Sequence, residues 1–564
     1  MRRLNLLSLI LIIALLAPLP ISIQAQRRST KTAPASTTHN GADQIAPDQL
    51  KNYLYFIAAD AMEGRDTPSR GLDVTANFIA MNLTRWGFKP AGDDGTFFQK
   101  IALLRNYIDP AKTSAEMSGA KFTYGDDFLA ANNQGTASGN MVYVGNGWVI
   151  KSKGLNAYEG VDVNNKIAIF YGNALPKGVT RADLTGTRGQ DWESPLDYLR
   201  KHGARGVIVI PTLQTFSIWN GSRRNATERG GLFVERVLQQ EPQALPVITA
   251  SAGMLTALFR GERMEADEIF ARRASSDAGA SFDLKPAKQM SFTIGVRSEH
   301  EHAQNVVGIW EGADPVLKNE YVALGAHYDH IGKGLPLPGS GRFPAANSDT
   351  SDIIYNGADD DGSGTTALLA MAETLAHNPR PKRSVLFVWH CGEEKGLVGS
   401  DYFTRFPTVP LKQVVTQLNI DMIGRSKRAG DTNPLNAELS GPNEIYVIGA
   451  RMMSTELGDL NEAVNHSYLN ISFNYKYDDP ADPHRFFFRS DHFNYAKNGI
   501  PIIFYFDGEH EDYHRPGDEP QKIDYEKMAR VARTIYMTMW ELATRPTRPV
   551  VDRQLPAERM VRGF

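Results

Sequence analysis

Beyond residue 305 the chain keeps one rhythm: a short apolar run, a loop, an amphipathic stretch, and then the next apolar run. The runs at 305–310, 321–325, 384–389, 414–420, 444–448 and 501–506 have the length of strands. Stretches 365–377 and 522–543 carry helical periodicity. Strands that are apolar along their whole length need cover on both faces. The rhythm therefore predicts an α/β fold, with a mostly parallel mixed sheet covered by helices.

The 564 residues exceed what one core usually organises, so a second folded unit is expected. It falls at 136–290, where the texture changes to short strands at 141–144, 166–170, 207–210 and 245–248, with a helix near 195–202. Residues 48–135 then form the start of the main domain, 291–545 its larger part, and 546–564 a C-terminal tail. Near the start, Leu50, Leu54 and Ile57 share one helical face, and Val74, Phe78, Met81 and Leu83 suggest another, with a turn at Glu63-Gly64-Arg65 between them. Residues 1–25 read as a signal peptide: Arg2 and Arg3, an apolar run over 4–16, Pro18 and Pro20, and Ile23-Gln24-Ala25 as a cleavage site. Export to the periplasm or the outside is expected, and residues 26–47, polar and proline-containing, read as a flexible linker. The apolar run is short against the ~20 residues of a bilayer span, so no stable membrane span is expected after its removal. The sole cysteine, Cys391, excludes an internal disulfide, and a net charge of −3 gives no electrostatic case for nucleic acid.

In a parallel sheet, ligands bind beyond the carboxyl ends of the strands. Four apolar runs here end on polar groups: His327-Tyr328-Asp329, Glu393-Glu394, Asp421, and Tyr513-His514 a few residues further on. Asp359-Asp360-Asp361 sits in a turn before a helix. One such group alone is an ordinary structural residue, but two imidazoles and several carboxylates at one sheet end repel unless cations neutralise them. Mixed nitrogen and oxygen ligands suit zinc, and there are more of them than one tetrahedral ion needs, which points to two ions.

The segments GAHYDHIG, NGADDDGSG, CGEEKGLVGS, NIDMIG, SDHFNYAKNGIP and DYHRPGD occur in that order. Together they make residues 305–543 resemble the co-catalytic two-zinc exopeptidase family of secreted bacterial aminopeptidases, with glutamate carboxypeptidase and glutaminyl cyclase as more distant relatives. The segment from Glu63 to Gln99 resembles the helical start of that family. VNNKIAIFYG and DYLRKHGARGVIVI give the insert a resemblance to a protease-associated domain. The resemblance implies the zinc exopeptidase fold and two zinc ions. One would be held by His327 and Asp421, the other by Glu394 and His514, with Asp360 bridging them and the Asp360-Asp361 peptide bond cis. It implies that Glu393 is the general base, that Asp329 orients the His327 ring, and that Tyr513 donates to the oxyanion. Asp361, Asp491 and His492 are expected to support the site from behind the ligands. Such a division suits the chemistry: zinc brings the pKa of water to about 7, and an adjacent carboxylate can take that proton.

The resemblance implies peptide substrates and an aminopeptidase. A carboxypeptidase or dipeptidase on the same scaffold stays open, because Arg425, Arg489 and Arg515 lie near motif residues and one of them could pair a substrate carboxylate. A glutaminyl cyclase fits the insert less well. A binding protein without catalysis predicts loss of a ligand or of the base, and all of them are present. Cys391, two residues before Glu393, is expected to be a small buried residue. The long Gly- and Pro-rich loop at 333–357 is expected beside the cleft.

Overall fold

A computed structural model of the chain describes residues 38–172, 174–240, 244–275, 279–334 and 352–554. The expected signal peptide lies outside them, as do residues 335–351 of the long loop. No helix among the described residues is long and apolar enough to cross a membrane.

Among the described residues the main sheet has ten strands. At its centre Ser384–His390, Tyr321–His327, Val414–Ile420 and Ile502–Phe506 run parallel in that order. Every residue of Ser384–His390, Val414–Ile420 and Ile502–Phe506 is buried, as double-sided cover requires. Antiparallel strands flank this centre. Val296–Trp310 pairs with Ser384–His390 on one side, and Glu444–Ile448 with Ile502–Phe506 on the other. The helices Gly364–Ala376 and Tyr525–Thr544 lie where the periodicity puts them. Gly364–Ala376 is buried nearly all round because it is packed between the sheet and the helices Pro47–Ile57 and Tyr525–Thr544.

Two expectations are corrected near the start. Residues 38–46 are not a linker, since Ala42 and Ile45 are fully buried. Tyr536 Oη donates to the Asn40 carbonyl and Arg533 Nε to that of Ile45, so the last long helix holds this segment. Leu50, Leu54 and Ile57 are buried together on Pro47–Ile57 as read. On Arg70–Trp86, however, the buried face runs through Leu72, Ala76, Ile79 and Leu83, while Val74 and Met81 are 37% and 56% exposed. Phe78 lies on the flank, its ring against those of Tyr53 and Phe56. At the start of the tail Val550 N–H donates to Glu456 and Asp552 N–H to the Met453 carbonyl.

A second sheet, of nine strands among the described residues, has its own apolar core, built on Phe128, Met141, Ile169, Ile208, Ile248 and Phe292. Its parallel centre is Gly135–Tyr143, Ile167–Phe170, Gly206–Val209 and Val247–Ala250. The sheet reaches beyond the expected 136–290. Ser114–Met117, Ala120–Phe122 and Phe128–Ala130 join it from the amino side, because Ser114–Met117 pairs with Gln289–Ile294. It also carries the helices Pro195–Lys201, Ala252–Phe259 and Ala266–Ala274. Gly231–Val234, inside the expected insert, returns to pair with Phe98–Ile108 of the main sheet.

Candidate metal centre

The four parallel strands end side by side, and their last residues face a common space. His327 closes its strand, Glu393 and Glu394 follow Ser384–His390, Asp421 follows Val414–Ile420, and Tyr513-His514 come after Ile502–Phe506. Asp360 reaches the same space from the turn before Gly364–Ala376, through a cis peptide bond to Asp361.

Two sets of side chains meet at Asp360. His327 Nε2 stands 3.2 Å from Asp360 Oδ1 and 3.5 Å from Asp421 Oδ1. His514 Nε2 stands 3.1 Å from Asp360 Oδ2 and 3.3 Å from Glu394 Oε1. Ligands bound at ~2.0–2.1 Å to a tetrahedral zinc lie about 3.3 Å apart, so these spacings are those of ligand polyhedron edges. His327 Nε2 and Glu394 Oε1 are buried and make no hydrogen bond. Buried polar atoms are rarely left so, and a cation in each set would satisfy them.

The charges say the same. Burial disfavours the ionised form of Asp360, yet His330, His327 and His514 hold its carboxyl well below the usual range. Burial pulls His514 down, but Glu394 and Asp360 outweigh it and lift the imidazole to about 10. The carboxylates thus demand positive charge at the imidazoles, which either protons or a metal can provide. Glu393 behaves differently. Burial pushes its carboxyl well above the ordinary range, with His327 opposing and Glu394 and Asp421 adding to the rise.

The surrounding residues hold these groups in place. Asp329 Oδ1 lies 3.6 Å from His327 Nδ1, and its two oxygens accept from Thr67 Oγ1 and from Glu393 N–H. Asp361 accepts the backbone N–H groups of His327, Gly364 and Met422, tying three segments together under the site. Asp491 faces His390 at 3.4 Å, and His492 lies 2.8 Å from the Phe487 carbonyl with its ring stacked on Phe504. Both sit behind the cluster. Cys391 is fully buried, with its thiol pushed up by burial.

Beside the cluster is a pocket lined by Asp360, Glu393, Asp421, Met422, Arg489, Ser490 and Tyr513, with Phe486, Phe504 and Phe506 as its apolar wall. Arg489 donates to Glu509 and to the Tyr513 hydroxyl. Arg425 is taken up by Asp512, and Arg515 donates to the Glu511 carbonyl, so neither lines this pocket.

Three features escape a reading of the strand ends alone. His330, three residues after His327, places Nδ1 2.8 Å from Glu394 Oε1. Its presence in the same HYDH run is the one signal that points to it. Asp518 accepts the backbone N–H groups of both Asp359 and Asp360 and so fixes the turn that carries the bridging position. Arg65, fully buried, donates to the carbonyls of Ile57, Tyr328, Asn356 and Gly357.

Residues 305–539 match the model of peptidase family M28. Among curated proteins, a probable leucine aminopeptidase of Arthroderma benhamiae is 27% identical over 312 residues, which are 50% of this chain and 74% of that protein. A probable zinc metalloprotease of Pyrenophora teres f. teres is 28% identical over 34% of this chain and 45% of that one. Among solved structures, an aminopeptidase from Aneurinibacillus sp. strain AM-1 aligns over 92% of this chain and 98% of its own, with 17% identity and a TM-score of 0.49.

Proposed function

From the match of residues 305–539 to peptidase family M28, we propose that this protein is a zinc-dependent aminopeptidase that holds two zinc ions per chain and releases amino-terminal residues from peptides. The observation that carries the reading is the pair of ligand sets sharing Asp360, whose buried nitrogen and oxygen atoms lack hydrogen bonds, at the edge of a pocket that also contains Glu393. His327, Asp360 and Asp421 would hold one ion; Asp360, Glu394 and His514 the other. When bound, zinc supplies Lewis acidity and a more acidic water. Glu393 takes the proton of the attacking water and returns it to the departing amine, and its raised proton affinity suits a group that must hold a proton between the two steps. Tyr513 accepts a hydrogen bond from Arg489, which leaves its own proton free to donate to a developing oxyanion.

Glu393, Asp360 and Asp421 bring three carboxyl groups to the pocket, oxygen acceptors that suit an α-ammonium group. Arg489 favours the second reading, a carboxypeptidase, because it is the arginine that lines the pocket; its pairing with Glu509 weighs against this. Peptides blocked at either end distinguish the two. Acetylating the amino terminus stops cleavage and amidating the carboxyl terminus does not; the reverse pattern selects the carboxypeptidase. Exhaustive chelation abolishes either activity, and full turnover after it removes the zinc reading.

The run of apolar residues behind Arg2 and Arg3 supports export with loss of residues 1–25. Mass spectrometry of the exported chain tests this, and retention of Met1 in a membrane fraction contradicts it. The second sheet is assigned as a protease-associated unit that acts on substrate choice, on the strength of VNNKIAIFYG and DYLRKHGARGVIVI.

A further inference from the structure

His330 is completely buried, and neither of its ring nitrogens makes a hydrogen bond. Its Nδ1 points into the second ligand set, 2.8 Å from Glu394 Oε1 and 3.8 Å from Asp360 Oδ2. The ring stands edge-on to that of His514, with 5.8 Å between centroids. The backbone is shaped around it. Gly357 has φ of +55°, and a Cβ there would lie 2.5 Å from His330 Cγ and 2.3 Å from the Asp360 carbonyl oxygen. His330 N–H donates to the Arg65 carbonyl, and the Arg65 guanidinium donates to that of Gly357, so one buried arginine holds both walls of the ring's slot.

An imidazole in such a slot has lost water at both nitrogens, and its Nδ1 has in return only the carboxylate oxygens of the second ligand set, Glu394 Oε1 at 2.8 Å and Asp360 Oδ2 at 3.8 Å, so its burial is costly unless a proton or a metal ion sits between them. We propose that His330 is a ligand of the second metal ion, alongside Asp360, Glu394 and His514. This rests on the zinc reading above and adds to it an inequality between the two sites. The first site has three protein side chains, His327, Asp360 and Asp421, and keeps a position open. The second has four, the number typical of closed structural zinc sites. The second ion is therefore the more firmly held, and the first is the one left a coordination position, on the side where Asp421 lines the pocket.

The test is metal release from the intact, zinc-loaded chain, titrated with a chelator of known affinity and followed by zinc content. The wild-type protein should lose its ions in two separate steps. His330→Ala and His330→Gln should each weaken the tighter step about 10-fold or more, bringing it near the weaker one. Asp421→Ala should weaken the other step alone. Cobalt loaded at one equivalent gives a readout independent of turnover: its visible spectrum should change in both His330 variants and stay as in the wild type in Asp421→Ala. Circular dichroism of each variant establishes that it is folded, and His330→Gln retains a side chain that fills much of the slot. Release curves and cobalt spectra identical to wild type in both His330 variants would overturn the proposal and leave the two-zinc reading standing. Wild-type protein that binds no zinc would overturn both.

Discussion

Glu393 and Glu394 are neighbours in the chain with different surroundings. Glu394 sits among His330, His514 and Asp360, and its carboxyl is held low by the imidazoles against the effect of burial. Glu393 lines the pocket with its N–H held by Asp329, and there burial outweighs the opposing charge of His327 and pushes its carboxyl up. Glu393→Gln should therefore lower kcat about 10²–10⁴-fold with zinc content unchanged, whereas Glu394→Ala should lose zinc as well; the opposite pattern in elemental analysis would exchange the two roles. The sequence already separated the pair from the bulk of acidic residues, because both follow an apolar strand. It could not single out Arg65, which stands in an ordinary turn between two helices. Burial draws its guanidinium down to about 10, and Asp329, Asp518 and Asp360 oppose that. Arg65→Met would strand four buried carbonyl groups beneath a cluster of carboxylates. A loss of at least about 3 kcal/mol in urea unfolding is expected, in line with buried hydrogen bonds from a charged donor.

The central strands were legible as elements because their residues are apolar on both faces, a pattern that surface helices and loops do not produce. The phase of Arg70–Trp86 was not. Alternative faces through Leu72-Ala76-Ile79-Leu83 and Val74-Phe78-Met81 are similarly apolar, and only the position of the sheet selects the first. The tie between Gly364–Ala376 and the strand ends was equally hidden. Gly364 begins that helix where a Cβ would lie 2.4 Å from Asp361 Oδ1 and 2.5 Å from the Ile420 carbonyl oxygen. Neither atom can yield, since Asp361 is fixed by three backbone N–H groups and Ile420 belongs to a buried strand. Gly364→Ala should cost about 1–3 kcal/mol, as overpacking does. It should also weaken zinc binding through displacement of Asp361 and Asp421, although the new methyl group touches no proposed ligand. A variant with wild-type urea midpoint and zinc affinity would show that the turn can relax.

At the scale of the whole molecule, two sheets with separate cores are joined mainly by one antiparallel ribbon. Phe98–Ile108 and Val296–Trp310 pair from Phe98 against Val306 to Ile108 against Val296. Beyond the ribbon the chain enters the second sheet at Ser114 and leaves it at Ile294. Thr113 Oγ1 and Gly295 N–H close that junction. Every proposed ligand belongs to the main sheet side, and the strands of the second sheet contribute none. A cavity in the second core should therefore be felt locally. Phe128 is fully buried there, on a strand paired with Val247–Ala250. Phe128→Ala should cost about 3–5 kcal/mol, the usual range for removing a buried aromatic ring. Hydrogen exchange should quicken over Gly135–Tyr143, Ile167–Phe170 and Val247–Ala250 before it does over Tyr321–His327 and Ser384–His390. Zinc content and hydrolysis of a short unblocked peptide should stay at wild-type values, while any preference among longer substrates is free to change. If zinc is lost in step with the second core, the ribbon transmits its unfolding and the two sheets form a single cooperative unit.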